Sequence, residues 1–111
     1  MLNHQRLKCY ELSMFLAKKI PTLISLWPEG NYYLADQLKR AMASIPLNIA
    51  EANGRTGLKD RARFFSIARG SATEVSSILD VAHIYGLVES SIHAEFQDNL
   101  LQIVKMLYKI R

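Results

Sequence analysis

Ala43-Ser44-Ile45-Pro46-Leu47-Asn48-Ile49-Ala50-Glu51-Ala52-Asn53-Gly54-Arg55 sets a proline and a line of polar residues into what otherwise reads as a buried helix. Proline inside a helix removes one backbone hydrogen bond and costs roughly 3 kcal/mol, so keeping it points to a local bend or to the surface the bend creates. Ser44, Asn48, Glu51 and Arg55 follow at steps of four, three and four residues, which places them in one polar line. Beside it runs the apolar stripe Leu34, Leu38, Ala41, Ile45, Ile49 and Ala52. A buried polar group without a partner costs about 1 to 3 kcal/mol, so the line is expected to satisfy itself rather than read a ligand. Glu51 would pair with Arg69 or Arg40, Asn48 would bond backbone opened by Pro46, and Ser44 would bond a preceding carbonyl.

Outward from this run the same periodicity predicts four helices. One spans about Asn3 to Leu26, with Leu7, Tyr10, Met14, Ala17 and Ile24 at helical steps and Pro21 as a kink. Trp27-Pro28-Glu29-Gly30-Asn31 breaks it, Gly30 being able to take a left-handed cap. The second runs from about Tyr32 to Asn53 and ends at Gly54. A third, about Leu58 to Tyr85, carries Phe64, Ala68, Ser71, Val75, Ile78 and Ala82 on one face and closes at Gly86. The fourth begins near Ser90 or Ser91 as caps and continues through Phe96, Leu100, Ile103 and Leu107. No segment alternates with the period of a strand, and the connections are short, so the expected fold is an all-α, antiparallel up-down-up-down four-helix bundle forming a single domain over 1–111. Gly70, inside the third helix, is expected to admit a neighbouring backbone. The apolar faces are wider than one core requires, Leu101, Val104 and Tyr108 adding to the fourth helix, and the surplus predicts a homo-oligomer.

A chain of 111 residues that is half hydrophobic, with five Gly and three Pro, is long enough for one modest core and is not disordered in composition. A single cysteine, Cys9, allows no internal disulfide, and the N-terminal residues lack the order of a signal peptide, so a cytoplasmic location is expected. No apolar run approaches the ~18 residues of a membrane span. The net charge is +4, and all of it lies between Arg55 and Arg69, where Arg55, Lys59, Arg61, Arg63 and Arg69 face Asp60 alone. Charge concentrated where one element ends and the next begins suits an anionic partner better than general solvation does.

The run Ser44-Ile45-Pro46-Leu47-Asn48-Ile49-Ala50-Glu51, then Asn53-Gly54-Arg55 and Phe64-Phe65-Ser66-Ile67-Ala68-Arg69-Gly70-Ser71, resembles the bacterial four-helix bundle proteins also called 23S rRNA intervening-sequence proteins. Their pattern is Ser-Ile-Pro-x-Asn-Ile-Ala-Glu-Gly, a Gly-Arg soon after, and Phe-Leu-x-Ile-Ala-x-Gly-Ser with a later Glu, here Glu74. Ala52 stands where the family carries Gly, and the loop after Arg55 is short. The resemblance implies a ring, a homopentamer. In fold the family is similar to the accessory variability determinant of diversity-generating retroelements, a basic pentamer that binds nucleic acid and a reverse transcriptase. Ser44, Asn48, Glu51, Arg69 and Glu74 are the expected structural polar network.

Arg55, Lys59, Arg61 and Arg63 are the candidate phosphate contacts, arginine offering paired donors and the start of the third helix adding backbone donors. No helix-turn-helix or RNA-binding signature accompanies them, and Phe64 and Phe65 fall on core positions, so backbone rather than base recognition is expected. His4, His83 and His93 never fall three or four apart and no Glu-x-x-His occurs, so the sequence implies no metal site, no cofactor and no catalytic residue. The expected function is a non-enzymatic bundle whose basic rim binds RNA or DNA. The alternative is an assembly or adaptor protein that engages a protein partner and no nucleic acid.

Overall fold

The computed structural model describes residues 2–110. Its four helices are α1 (Lys8–Ser25), α2 (Tyr32–Gly54), α3 (Leu58–Ile84) and α4 (Ser90–Lys109), preceded by a 3-10 turn at Asn3–Arg6. The first helix therefore starts later than its stripe suggests. Leu7 is extended (φ −74°, ψ 130°) and separates the turn from α1, while the Gln5 side chain accepts a 2.8 Å bond from the Leu2 N–H. Pro21 and Pro46 both lie within helices that continue past them.

Left-handed glycines close two of the three turns: Gly30 has φ 97° and Gly86 φ 77°. After α3 the Gly86 N–H reaches the His83 carbonyl and the Leu87 N–H the Ala82 carbonyl at 2.9 Å, a Schellman-type closure that only a left-handed residue allows cheaply. Gly54 behaves differently, remaining the last helical residue of α2 while Arg55 (φ −87°, ψ 146°) leaves the helix. Neither Ser90 nor Ser91 caps α4. Glu89 holds the cap position with no side-chain bond, and the Ser90 hydroxyl instead meets His83 at 3.1 Å.

Cross-helix bonds fix the directions. Ser44 meets Ser71 while Arg61 reaches Ala52 and Asn53, so α2 and α3 run antiparallel. Ser76 with Gln97 and Asp80 with His93 give the same relation for α3 and α4. Leu23 and Leu26 line a groove with Ile92 and Phe96, which brings the end of α1 to the start of α4. Each helix packs on its two sequence or ring neighbours, with α2 against α3 the most extensive seam. Buried alanines on both helices, Ala41 and Ala52 facing inward from α2 and Ala68, Ala72 and Ala82 from α3, let these two approach closely. Leu16, Leu38, Ile45, Ile49, Val75, Leu79 and Ile103 are wholly enclosed and complete one core. Among the described residues no helix is long and apolar enough to cross a membrane.

Gly70 lies on the exposed face of α3, and a Cβ there would meet nothing within 4 Å. The expected close backbone approach is absent. It is the next residue, Ser71, that faces α2. Met14, Phe15, Leu101 and Tyr108 remain exposed on α1 and α4, so part of the apolar surplus stays outside the core.

Candidate nucleic-acid interface

The α2–α3 corner holds its arginines in three different ways. Arg55 lies 3.4 Å from Glu51 and 3.6 Å from Asp60, and Arg63 lies 3.3 Å from the same Asp60. Both guanidinium groups also stand over one ring, Phe64, at 4.9 and 4.4 Å. Phe64 is accordingly half-buried and serves as their platform, whereas Phe65 is buried as its position suggests. Arg61 is turned inward: its Nη1 donates to the carbonyls of Ala52, Asn53 and Arg55 at 3.3–3.4 Å, where α2 runs out of helical donors. That bonding consumes the side chain structurally. Lys59 is exposed and within ion-pair distance of no carboxylate among the described residues.

The positive dipole expected at the start of α3 is offset locally. Asp60 occupies its first turn, and the negative end of α2 lies beside it, reached by Arg61. Of the four corner residues, then, Lys59 and Arg63 project charge outward most freely.

The polar line of α2 also divides. Asn48 donates from Nδ2 to the Ser44 carbonyl at 2.7 Å and to the Ser44 hydroxyl at 2.9 Å, and that hydroxyl meets Ser71 Oγ at 2.7 Å. The carbonyl that Pro46 deprives of its donor is that of Met42, four residues back, so Asn48 does not repair the proline. Glu51, Arg69 and Glu74 stand outside the network. Glu51 takes Arg55, its neighbour one turn on, Arg40 takes Asp36 at 3.0 Å, and Arg69 lies 4.3 Å over the Tyr108 ring. Glu74 is exposed and makes no hydrogen bond among the described residues.

Folding also sorts the charge outside the basic run of residues 55–69, which along the sequence sums to zero. At one end of the bundle meet the first half of α1, the second half of α2, the first half of α3 and the second half of α4. There, among the described side chains, Lys8, Arg55, Lys59, Arg61, Arg63, Arg69, Lys105 and Lys109 face Glu11, Glu51 and Asp60, eight cations against three carboxylates. The opposite half reverses the sign, with Lys18, Lys19, Lys39 and Arg40 against seven carboxylates, Glu29, Asp36, Glu74, Asp80, Glu89, Glu95 and Asp98. The particle is 44 Å long, several times the ~8 Å Debye length at physiological salt, so neither end cancels the other. Arg69, Lys105, Tyr108 and Lys109 belong to the cationic end although only Arg69 lies within the basic run of the sequence. Their signal was the heptad-like stripe of α4 combined with its antiparallel docking on α3.

Two of the three histidines converge where spacing gave no hint. His83 and His93 stack with centroids 4.4 Å apart and planes 10° from parallel, His93 Nε2 lies 2.8 Å from Asp80 Oδ1, and Gln97 Nε2 donates to Asp80 at 3.0 Å. His4 packs edge-on to Tyr10 at 4.8 Å. Among the described residues no group of three or more His, Cys, Asp and Glu is arranged to hold a metal ion. Cys9 is buried, and desolvation pushes its thiol above the usual range, with backbone bonds from Tyr10 and Cys9 acting the other way.

A family model described as 23S rRNA-intervening sequence protein matches residues 5–109. No curated protein matches the chain.

Proposed function

The chain belongs to the 23S rRNA-intervening sequence protein family, and from that membership we propose a non-enzymatic, homo-oligomeric, cytoplasmic bundle that holds RNA or DNA by its phosphate backbone at the cationic end. The carrying observation is the gathering of eight cations against three carboxylates at one end, with Lys8, Lys59, Lys105 and Lys109 all exposed and without carboxylate partners among the described residues. Phosphate contacts need charge that is free to pair, and the lysines with the outward Arg63 supply it, while Arg61 is held by backbone carbonyls and Arg55 by Glu51 and Asp60. The family's description refers to 23S rRNA, which favours RNA as the polymer. Backbone rather than base recognition fits the absence of a free aromatic platform at the corner, since Phe64 already carries two guanidinium groups. Exposed Met14, Phe15, Leu101 and Tyr108 support self-association through α1 and α4, and copies related by a ring would repeat the cationic ends on one side.

The test is the salt dependence of binding to duplex and single-stranded RNA and DNA. Affinity should fall steeply as salt rises, and Lys59→Ala, Lys105→Ala and Lys109→Ala together should reduce the log–log slope by about 2 to 3. Binding that ignores salt and these substitutions would overturn the assignment. For self-association, light scattering showing a stable species near 12.6 kDa would remove the ring.

A further inference from the structure

Tyr108 is 67 % exposed in the last turn of α4, within the cationic end of the bundle. Arg69 of α3 stands over one face of its ring, the guanidinium carbon 4.3 Å from the ring centroid. A ring covered on one face and still two-thirds exposed offers its other face to solvent. The α3–α4 register explains why it is left open. Ser76 meets Gln97 and Asp80 meets His93, which brings Tyr108 level with Phe65. Phe65 itself is buried in the core. The flank of α3 that faces α4 through Asp80, Ser76 and Arg69 continues at helical steps to Ser66 and Ala62, both exposed and neither large enough to cover a phenol ring.

The charge around the ring has one sign. The chain has no Asp or Glu on α3 between Asp60 and Glu74, nor on α4 between Asp98 and Lys109. Lys105 lies one turn before Tyr108 and Lys109 follows it, both exposed. A free aromatic face among cations suits a ligand that carries π-faces and negative charge together, as an unpaired nucleotide does. We propose that Tyr108, held by Arg69, stacks with an unpaired nucleobase while Lys105 and Lys109 take the adjoining phosphates, so that the cationic end favours single strands, whose bases are free, over duplex, whose bases are already stacked. The assignment rests on the phosphate-binding reading above and adds the state of the strand to it. Stacking reads no base identity, because every base has a π-face, so recognition stays independent of sequence. A second copy is the competing occupant. Self-association can draw on Met14, Phe15 and Leu101 without this ring, since Leu101 precedes Tyr108 by about 10 Å along α4 and Phe15 lies at the α1–α4 groove, whereas Tyr108 is turned to α3. A contact between like faces would also set these cations against their own kind.

The test separates bases from phosphates. The probes are an oligothymidine of about twelve nucleotides and an abasic chain with the same number of phosphates, each end-labelled and titrated against the full chain by fluorescence anisotropy over a range of salt. The oligothymidine should bind about tenfold more tightly than the abasic chain. Tyr108→Leu, which keeps an exposed apolar side chain at this helix end, should abolish that ratio and leave the abasic affinity unchanged, while Tyr108→Trp should preserve it. Lys105→Ala should weaken both ligands alike and lower the salt slope by about 0.7. Equal affinity of the native chain for the two ligands, or a ratio that survives Tyr108→Leu, would overturn the stacking and leave the phosphate reading standing. Salt-independent binding of both would instead remove the phosphate reading, and the stacking with it. Light scattering should give Tyr108→Leu the mass of the native chain; a smaller mass would assign the ring to a neighbouring copy and overturn the proposal.

Discussion

Ser44 and Ser71 meet hydroxyl to hydroxyl at 2.7 Å across the α2–α3 seam, and Asn48 fixes the Ser44 side by donating to both its carbonyl and its hydroxyl. One helix thus presents a pre-oriented hydroxyl to the other, in a seam otherwise lined by alanine and aliphatic side chains. Ser71→Ala removes one partner but leaves Ser44 served by Asn48, so it should cost about 1 kcal/mol. Ser44→Ala strands an Asn48 donor and Ser71 together and should cost about 2 kcal/mol. The double variant should lose about 0.5–1 kcal/mol less than the sum, measured by a denaturation double-mutant cycle. Strict additivity would mean the two hydroxyls act independently.

Arg61 and Arg63 are two residues apart and should respond unequally to truncation. Arg61→Ala releases three carbonyls at the end of α2 and should cost about 1–2 kcal/mol, with Arg61→Lys recovering part of it. Arg63→Ala removes an exposed ion pair and a cation–ring contact and should cost less than about 1 kcal/mol. Urea midpoints at constant slope would separate them. Equal losses would show that the inward bonds of Arg61 carry no more than a surface pair does.

The helices were legible in the chain because their stripes were long and their ends punctuated by Gly30, Gly54 and Gly86. What spacing could not show was anything that depends on how two helices align. The Ser44–Ser71 contact, the His83–His93 stack and the placing of Arg69 over Tyr108 all need the antiparallel register. The same register turns Lys105 and Lys109, neutralised by acids elsewhere in a linear count, into part of one cationic end. Glu51, expected to pair with Arg69 or Arg40, instead takes Arg55 one turn on, a pair that needs no tertiary alignment. Leu7 shows the opposite limit: it continues the apolar stripe of α1 yet is extended, because a residue can pack on a core without being helical.

Cys9 gives a pH signature. Burial raises its thiol in the folded chain, so the folded state holds the proton more tightly than the unfolded one. The associated stability is fully present below the unfolded value of about 8.5 and is lost as pH climbs through the higher folded value. Cys9→Ala should cost about 1 kcal/mol at neutral pH from lost packing, and its deficit against the native chain should shrink as the medium becomes alkaline. A thiol reagent should react with native protein far more slowly than with unfolded protein. A deficit constant with pH would contradict the assignment.

Gly70 offers the sharpest separation of fold from assembly. Within the chain it has no evident purpose: its φ is not positive, a methyl group would meet nothing within 4 Å, and glycine in mid-helix costs about 1 kcal/mol relative to alanine. Gly70→Ala should therefore stabilise the fold by about that amount, raising the melting temperature by roughly 4–8 °C for a domain of this size. If copies associate through the exposed apolar side chains of α1 and α4, the assembled mass in light scattering should not change. A variant that melts higher yet assembles less would instead place the Gly70 face of α3 against another copy, because only a neighbour outside the chain could object to the methyl group.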